Sequence, residues 1–381
     1  MKILEVISDT NIGGAGILLA TRCECMNRSK YEITVAIPKG SKLSKRLNDI
    51  GVAVVEVDAC RDRSFEWGGI LKWIRLIRKV RPMLINCHGC LSCRIAARLC
   101  SVPVLVDTRH CAFLTKRWQR VFPGKQLLGM GRRMLSDQTI AVAVAAKENL
   151  LEMGAPSKKI QVIINGAKPM RTLSEEEKRW QRKALNIPQN AVVVGIFARL
   201  EPCKGHETFL RAAQILTKKQ GNYCFLIVGD GSLSRTLRER VEKLELTEAI
   251  RFVGFAEDVA PYLNVTDIQV NCSVGTETSS LALSEGMSLG IPAVASNFGG
   301  NPYMIRDGEN GFLFPIDRYD ILAQRIFQIG EDPELYDHLS QGAKHRFEEE
   351  LNVERMTRET EALYDYLLIK AKRRRRCPKG T

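Results

Sequence analysis

Short runs of β-branched and aliphatic residues alternate with stretches of helical periodicity from Ile3 to Ser296, and this alternation restricts the fold more than any other feature. A helix between successive strands carries the chain back across a sheet, so the strands pair in parallel with both faces covered. Hairpin meanders, sandwiches and bundles do not fit. Strands are expected at Ile3 to Ile7, Glu32 to Ile37, Val52 to Val57, Leu84 to Cys87, Pro103 to Asp107, Gln138 to Val142 and Ile160 to Ile164. A charged stretch follows Lys168-Pro169-Met170 and closes at Ile187-Pro188-Gln189-Asn190. The alternation then restarts at Ala191 to Phe197, Tyr223 to Val228, Ile250 to Val253, Ile268 to Asn271 and Ala293 to Ser296. The expected organisation is two doubly wound domains, over 1–168 and 191–350, a linker over 169–190, and a terminal segment over 351–381. In such domains ligands bind at the carboxyl ends of the strands.

Composition removes several classes. Hydrophobic residues at 45% and charged residues at 26% suit a folded chain rather than a disordered one. No run approaches the roughly 20 apolar residues of a membrane span. The start, Met1 to Asp9, is too short and too acid-punctuated for a signal peptide, so a cytoplasmic protein is expected. The net charge is +14, and Lys370 to Thr381 holds seven basic residues and no acid. A second carboxylate-free stretch between Asp107 and Asp137 carries Lys116, Arg117, Arg120, Lys125, Arg132 and Arg133 among Phe113, Leu114, Trp118, Val121 and Phe122. That mixture suits an anionic membrane surface, an anionic lipid-linked substrate or a nucleic acid, and equally a solvated helix face. No recognition motif accompanies the charge, so nucleic acid is not an expected partner. Among the twelve cysteines, Cys87-x2-Cys90-x2-Cys93 lacks a second pair at zinc-finger distance, and Ala97 stands where a ferredoxin run needs its fourth cysteine. Unpaired thiols packed beneath a strand and helix are expected.

Three loops carry candidate chemistry. Gly13-Gly14-Ala15-Gly16 after the first strand is half a dinucleotide fingerprint, but Leu19 occupies the place of the third glycine. It fits a close approach to phosphate, or only a tight turn. Strand Ala191 to Phe197 runs into Arg199-x4-Lys204, a guanidinium and an ammonium in one loop, suited to neutralising a leaving diphosphate without a metal. After Asn271 the chain passes Glu277 and enters a helix capped by Ser279 or Ser280, with Glu285 about 7 Å further along its axis. The N–H groups of Thr278, Ser279, Ser280, Leu281 and Ala282 lie between the two carboxylates and suit a phosphate.

Taken in order, these features resemble the retaining glycosyltransferases of family 4, over nearly the whole chain. The resemblance is carried by Gly13-Gly14, Asn165-Gly166, Arg199-x4-Lys204, Gly229-Asp230-Gly231, Val253-Gly254-Phe255, Glu277-x7-Glu285, Leu289-Gly290-Ile291-Pro292, Gly299-Gly300 and Asp307 to Leu313. It implies the GT-B fold, two Rossmann-like doubly wound parallel-sheet domains facing a cleft. The second domain would bind a nucleotide-diphosphate sugar and the first a glycan or lipid-linked acceptor, with the final helix returning to the first domain. Arg199 and Lys204 would hold the diphosphate, Glu285 the ribose, and Glu277 the sugar hydroxyls or the charge near the anomeric carbon. Gly254 and Phe255 would lie near the base, Gly14 under the diphosphate, and His110 beside the donor sugar. His88 is assigned no role. The family often has a glycine and an aromatic residue where Thr278 and Ser279 stand, and a glutamate where Tyr303 stands, so sugar identity does not carry over.

The expected function is metal-independent, cofactor-free, retaining transfer of a hexose-type sugar, with UDP as the expected nucleotide, to a cell-envelope or lipid-linked acceptor. The alternatives are a nucleotide-sugar epimerase of the same fold or a non-catalytic sugar-nucleotide-binding protein.

Overall fold

A computed structural model describes residues 1–10, 13–111, 115–219 and 222–376. Phe113, Leu114 and the tail from Cys377 lie outside the described residues. The chain forms two units, Met1–Gly166 together with the chain from Val353, and Ala167–Asn352. The two parallel-sheet, Rossmann-like domains expected from the alternation are both present.

The first unit holds β1 (Lys2–Ile7), β2 (Glu32–Pro38), β3 (Ala53–Val57), β4 (Leu84–His88), β5 (Val104–Arg109), β6 (Gln138–Ala141) and β7 (Ile160–Val162), in the spatial order β3-β2-β1-β4-β5-β6-β7. All pairs are parallel. The order reverses between β1 and β4, where Ile7 lies opposite His88. Ligand sites form at such a reversal because the two flanking loops diverge to opposite faces of the sheet.

The second unit repeats the plan with β8 (Val192–Phe197), β9 (Tyr223–Val228), β10 (Ile250–Gly254), β11 (Ile268–Asn271), β12 (Ala293–Ser296) and β13 (Gly311–Phe314), ordered β10-β9-β8-β11-β12-β13. Its reversal lies between β8 and β11. Strands β4 and β9 are buried along their whole length, as covered faces require. Strand β13 follows a glycine-rich turn and is not among the strands expected from the alternation.

Residues 169–190 are not a free linker but part of the second unit. Met170 N–H donates to Ser288 Oγ at 2.9 Å and Leu173 N–H to Asn264 Oδ1 at 2.9 Å. Ser174 and Glu177 then form a reciprocal capping box, with three glutamates in the first turn, and start the helix Glu175–Ala184. Both devices favour helix wherever the stretch is placed, so its polar composition marks a solvated helix face.

The terminal helix Val353–Arg376 packs on the first unit. Tyr364 donates to Glu5 at 2.8 Å, Tyr31 donates to Asp365 at 2.7 Å, and Lys30 pairs with Asp365. Cys87, Cys90 and Cys93 are buried thiols in a core with Cys60 and Trp73. In the basic segment, Lys116, Arg117, Arg120, Lys125 and Arg133 are exposed. Arg132 is not a surface cation. It turns inward to 3.7 Å from Asp107, and burial pushes its pKa down to about 10. Among the described residues no helix is long and apolar enough to cross a membrane.

Candidate active site

In the second unit, the loops after β8, β9, β11 and β12 are locked to one another by backbone contacts. Leu200 N–H donates to Asp230 O at 3.0 Å, and Val274 N–H to Cys203 O at 2.9 Å. Gly205 adopts φ +67, and a Cβ there would lie 2.0 Å from Cys272 O, so only glycine lets the β8 loop close on β11. A Cβ on Gly300 would lie 1.6 Å from Thr278 O, which likewise lets the β12 loop lie against the chain after Glu277.

These contacts aim Lys204 at Glu277. Lys204 Nζ lies 2.7 Å from Glu277 Oε2, and Ser273 Oγ donates to the same oxygen at 2.8 Å. Asn271 Nδ2 is 3.4 Å away. Glu277 is only 6% exposed, and a carboxylate buried that far requires such a partner. Lys204, Asn271, Ser273 and Ser280 line a recess with Phe197 and Leu283 at the carboxyl ends of β8 and β11. Arg199 shares the β8 loop but stands exposed. The structure therefore brings Lys204 and Glu277 into direct contact, which their 73-residue separation conceals.

Ser280 is the helix cap: its Oγ accepts from Leu283 N–H at 3.3 Å, and the helix runs Leu281–Ser288. The expected row of N–H donors is shorter than the sequence suggests. Ser280 N–H points at Met304 Sδ, 3.2 Å away, so helical geometry leaves Leu281 and Ala282 as the donors of the first turn. Thr278 is buried, Ser279 half-buried, and Glu285 half-buried along the helix. Gly254 ends β10 at φ +83, and Phe255 beside it is 75% exposed, a flat apolar surface at that edge of the sheet. Tyr303, where the family often has glutamate, donates to Glu350 at 2.5 Å.

Gly14 and His110 belong to the first unit. Gly14 opens the helix Gly14–Cys25 and is exposed, with Gly13 as its extended cap. His110 follows β5 and meets His88 edge to edge, with ring centroids 4.9 Å apart and 21° between the ring planes. His88 in turn contacts Glu5, a wholly buried carboxylate on β1 paired with Arg22 at 2.7 Å. Burial pushes the Glu5 carboxyl up, but Arg22, His88 and Tyr364 outweigh it and bring its pKa to about 2. The signal for this network was present in the sequence: a charged residue inside a strand predicted to be covered on both faces needs buried partners.

His206, next to Gly205, is 2% exposed, and neither ring nitrogen has a hydrogen-bond partner among the described residues. Burial, with Lys204 nearby, pushes its pKa down to about 4. The folded ring thus stays neutral while the unfolded one protonates near pH 6.5, so stability falls as pH drops from about 6.5 towards 4. The loss should reach on the order of 3 kcal/mol. Melting curves of His206→Leu across this range should be flatter than those of the parent by that amount. Parallel curves would show that the ring finds a proton acceptor.

A family profile described as "Glycosyl transferases group 1" matches residues 177–346, and one described as "Glycosyltransferase Family 4" matches residues 12–171. The chain belongs to the family 4 glycosyltransferases. It is accordingly an enzyme that transfers sugars. Family members similar to it include the UDP-Gal:alpha-D-GlcNAc-diphosphoundecaprenol alpha-1,3-galactosyltransferase of Escherichia coli, 24% identical over 97% of this chain and 98% of the relative. The N-acetyl-alpha-D-glucosaminyl L-malate synthase of Bacillus anthracis is 25% identical over 60% of this chain and 59% of its own. HepE from Anabaena, solved in complex with UDP, shares the fold with a TM-score of 0.83 at 20% identity, covering 96% of this chain and 100% of that one.

Proposed function

We propose that this family 4 enzyme transfers a hexose-type sugar from a UDP-sugar to a lipid-linked glycan of the cell envelope, with retention at the anomeric carbon. The observation that carries the donor reading is the Lys204–Glu277 pair at the reversal of the second sheet, with Arg199 in the same loop and Glu285 on the helix that follows. Two cations at a strand-end loop are suited to stabilising a diphosphate as it leaves, so the enzyme needs no metal or other cofactor. Glu277 faces the sugar and Glu285 the ribose, with Leu281 and Ala282 N–H donors between them. Gly254 and Phe255 flank the base, and the family resemblance assigns Gly14 a phosphate contact and His110 a sugar contact. UDP is favoured because the Escherichia coli relative is named for UDP-galactose and HepE was solved with UDP. The named acceptor of that same relative supports a lipid-linked one here.

A thermal-shift screen with UDP, GDP, ADP and their sugars tests the donor, since a ligand bound only by the folded state raises Tm. UDP should give the largest shift. Turnover with the UDP-sugars, and the anomeric configuration of the product, then separate a retaining transferase from an epimerase or a non-catalytic binder. EDTA should leave turnover unchanged; full loss restored by manganese would overturn the two-cation reading.

The two glutamates should separate in calorimetric titrations with UDP. Glu285→Ala should weaken binding roughly tenfold, the worth of a hydrogen bond to a charged group. Glu277→Ala removes the partner that holds Lys204 and should leave UDP binding intact or tighter, while turnover falls. Equal weakening by both substitutions would mean that they serve one group.

A further inference from the structure

We propose that Glu5 and His88 are positioning residues that hold His110 in a single tautomer, proton on Nε2 and lone pair on Nδ1, so that it meets a sugar hydroxyl as a hydrogen-bond acceptor. The sugar contact rests on the reading of His110 given under the proposed function; the tautomer does not. Glu5 is fully buried at the middle of β1, and Arg22 neutralises it at 2.7 Å. Its Oε1 accepts from Tyr364, while Asn86 Nδ2 and His88 Nε2 each lie 3.0 Å from Oε2. Thr108 donates to Asn86 Oδ1 at 2.8 Å, which orients that amide with its nitrogen towards Glu5.

His88 Nε2 also lies 3.2 Å from Asn86 Nδ2 and 3.5 Å from Arg22 Nη2, but both of those donors lie closer to Glu5 Oε2. A ring nitrogen 3.0 Å from that buried oxygen carries hydrogen, because otherwise two lone pairs would face each other without water between them. His88 Nε2 is therefore a donor. Glu5 is already neutralised by Arg22, so a second buried cation would be uncompensated, and His88 is a neutral imidazole with its lone pair on Nδ1. Burial and the charge of Arg22 push its pKa down despite Glu5, in agreement with that state. His88 Nδ1 lies 2.6 Å from His110 Nε2. Two nitrogens at that distance share one proton, and His88 has none to give at Nδ1, so the proton belongs to His110 Nε2. Burial, reinforced by the charges of Arg22 and Arg109, holds the pKa of His110 well below the usual histidine range, so its Nδ1, buried in this structure, keeps a lone pair. Strand register sets the geometry: Ile7 on β1 lies opposite His88, and Cys87 lies opposite Asp107, three residues before His110. Tyr364 on the terminal helix completes the shell around Glu5, so both ends of the chain contribute to it.

The test uses the full chain with ring-15N-labelled histidine. We expect a scalar coupling across the hydrogen bond between His110 Nε2 and His88 Nδ1, and a pyridine-type signal for His110 Nδ1. His88→Leu should abolish the coupling, let His110 populate both tautomers, and lower kcat/KM about tenfold, the worth of one hydrogen bond, without changing the Kd of UDP. His88→Gln can donate to Glu5 and accept from His110, and should recover most of that activity with His110 again in the Nε2–H form. A protonated Nδ1 on His110 in the parent, or a His110 spectrum indifferent to His88→Leu, overturns the relay. Should His88→Leu fail to fold, the parent coupling and the His88→Gln spectrum decide. If the spectra behave as expected but kcat/KM stays unchanged in a folded His88→Leu, it is the sugar contact of His110 that fails.

Discussion

Arg199→Ala and Lys204→Ala are each expected to lower turnover about a hundredfold, since a donor aimed at charge that develops in the transition state contributes about 3 kcal/mol. The two differ in their effect on the fold. Arg199 is exposed, so its loss should leave Tm unchanged. Lys204 neutralises Glu277, and removing it strands a buried carboxylate, a change that costs about 3–5 kcal/mol where the charge has no other outlet. Lys204→Ala should therefore melt earlier as well as turn over slowly. The double variant Lys204→Ala/Glu277→Gln tells the two effects apart: it should regain most of the lost Tm and none of the lost turnover. Initial rates with a UDP-sugar and melting curves of the four proteins check this. Near-normal turnover in both single variants would remove the diphosphate clamp from the account.

The alternation of strand-like and helical runs was enough to give both sheets, because a parallel sheet covered on both faces writes its strands as contiguous apolar runs. The candidate site was legible only next to strand ends. Arg199, Lys204, Glu277 and Glu285 could be picked out from the positions of β8, β11 and one helix cap. That Lys204 meets Glu277 could not, because the contact depends on Gly205 and Gly300 allowing backbone approaches that no periodicity encodes. Glu5 is the opposite case. Its charge in an apolar strand was visible as punctuation, yet its partners Arg22, His88 and Tyr364 are separated from it by up to 359 residues. Arg132 was misread for the same reason: composition counts a cation without saying whether it faces solvent or Asp107.

The other large expected effect is reversible binding of the first unit to an anionic membrane. The helix Gly124–Leu135 exposes Leu127, Met130 and Met134, which at spacings of three and four fall on one face, and Trp118, Val121 and Phe122 are exposed just before it. Lys116, Arg117, Arg120, Lys125 and Arg133 are exposed among them. Exposed apolar side chains within a cationic frame fit an interface with hydrocarbon below and phosphate above. The terminal helix adds Lys372, Arg373 and Arg374 on the same unit, and Arg374 lies near enough to repel the Lys159 ammonium together with Arg98 and Arg133. Each such cation contributes about 1 kcal/mol at an anionic surface, so removing three should weaken binding by about two orders of magnitude. The full chain should sediment with vesicles in proportion to their anionic lipid and be released by salt. Lys116, Arg117 and Arg120 changed to glutamine, or deletion after Ile369, should shift the protein to the supernatant. Trp118→Ala/Phe122→Ala should weaken binding at high salt as well, because that part is apolar burial and is not screened. A protein that stays in the supernatant at low salt, or that sediments equally well after these changes, has no such surface, and its cations then serve solubility alone.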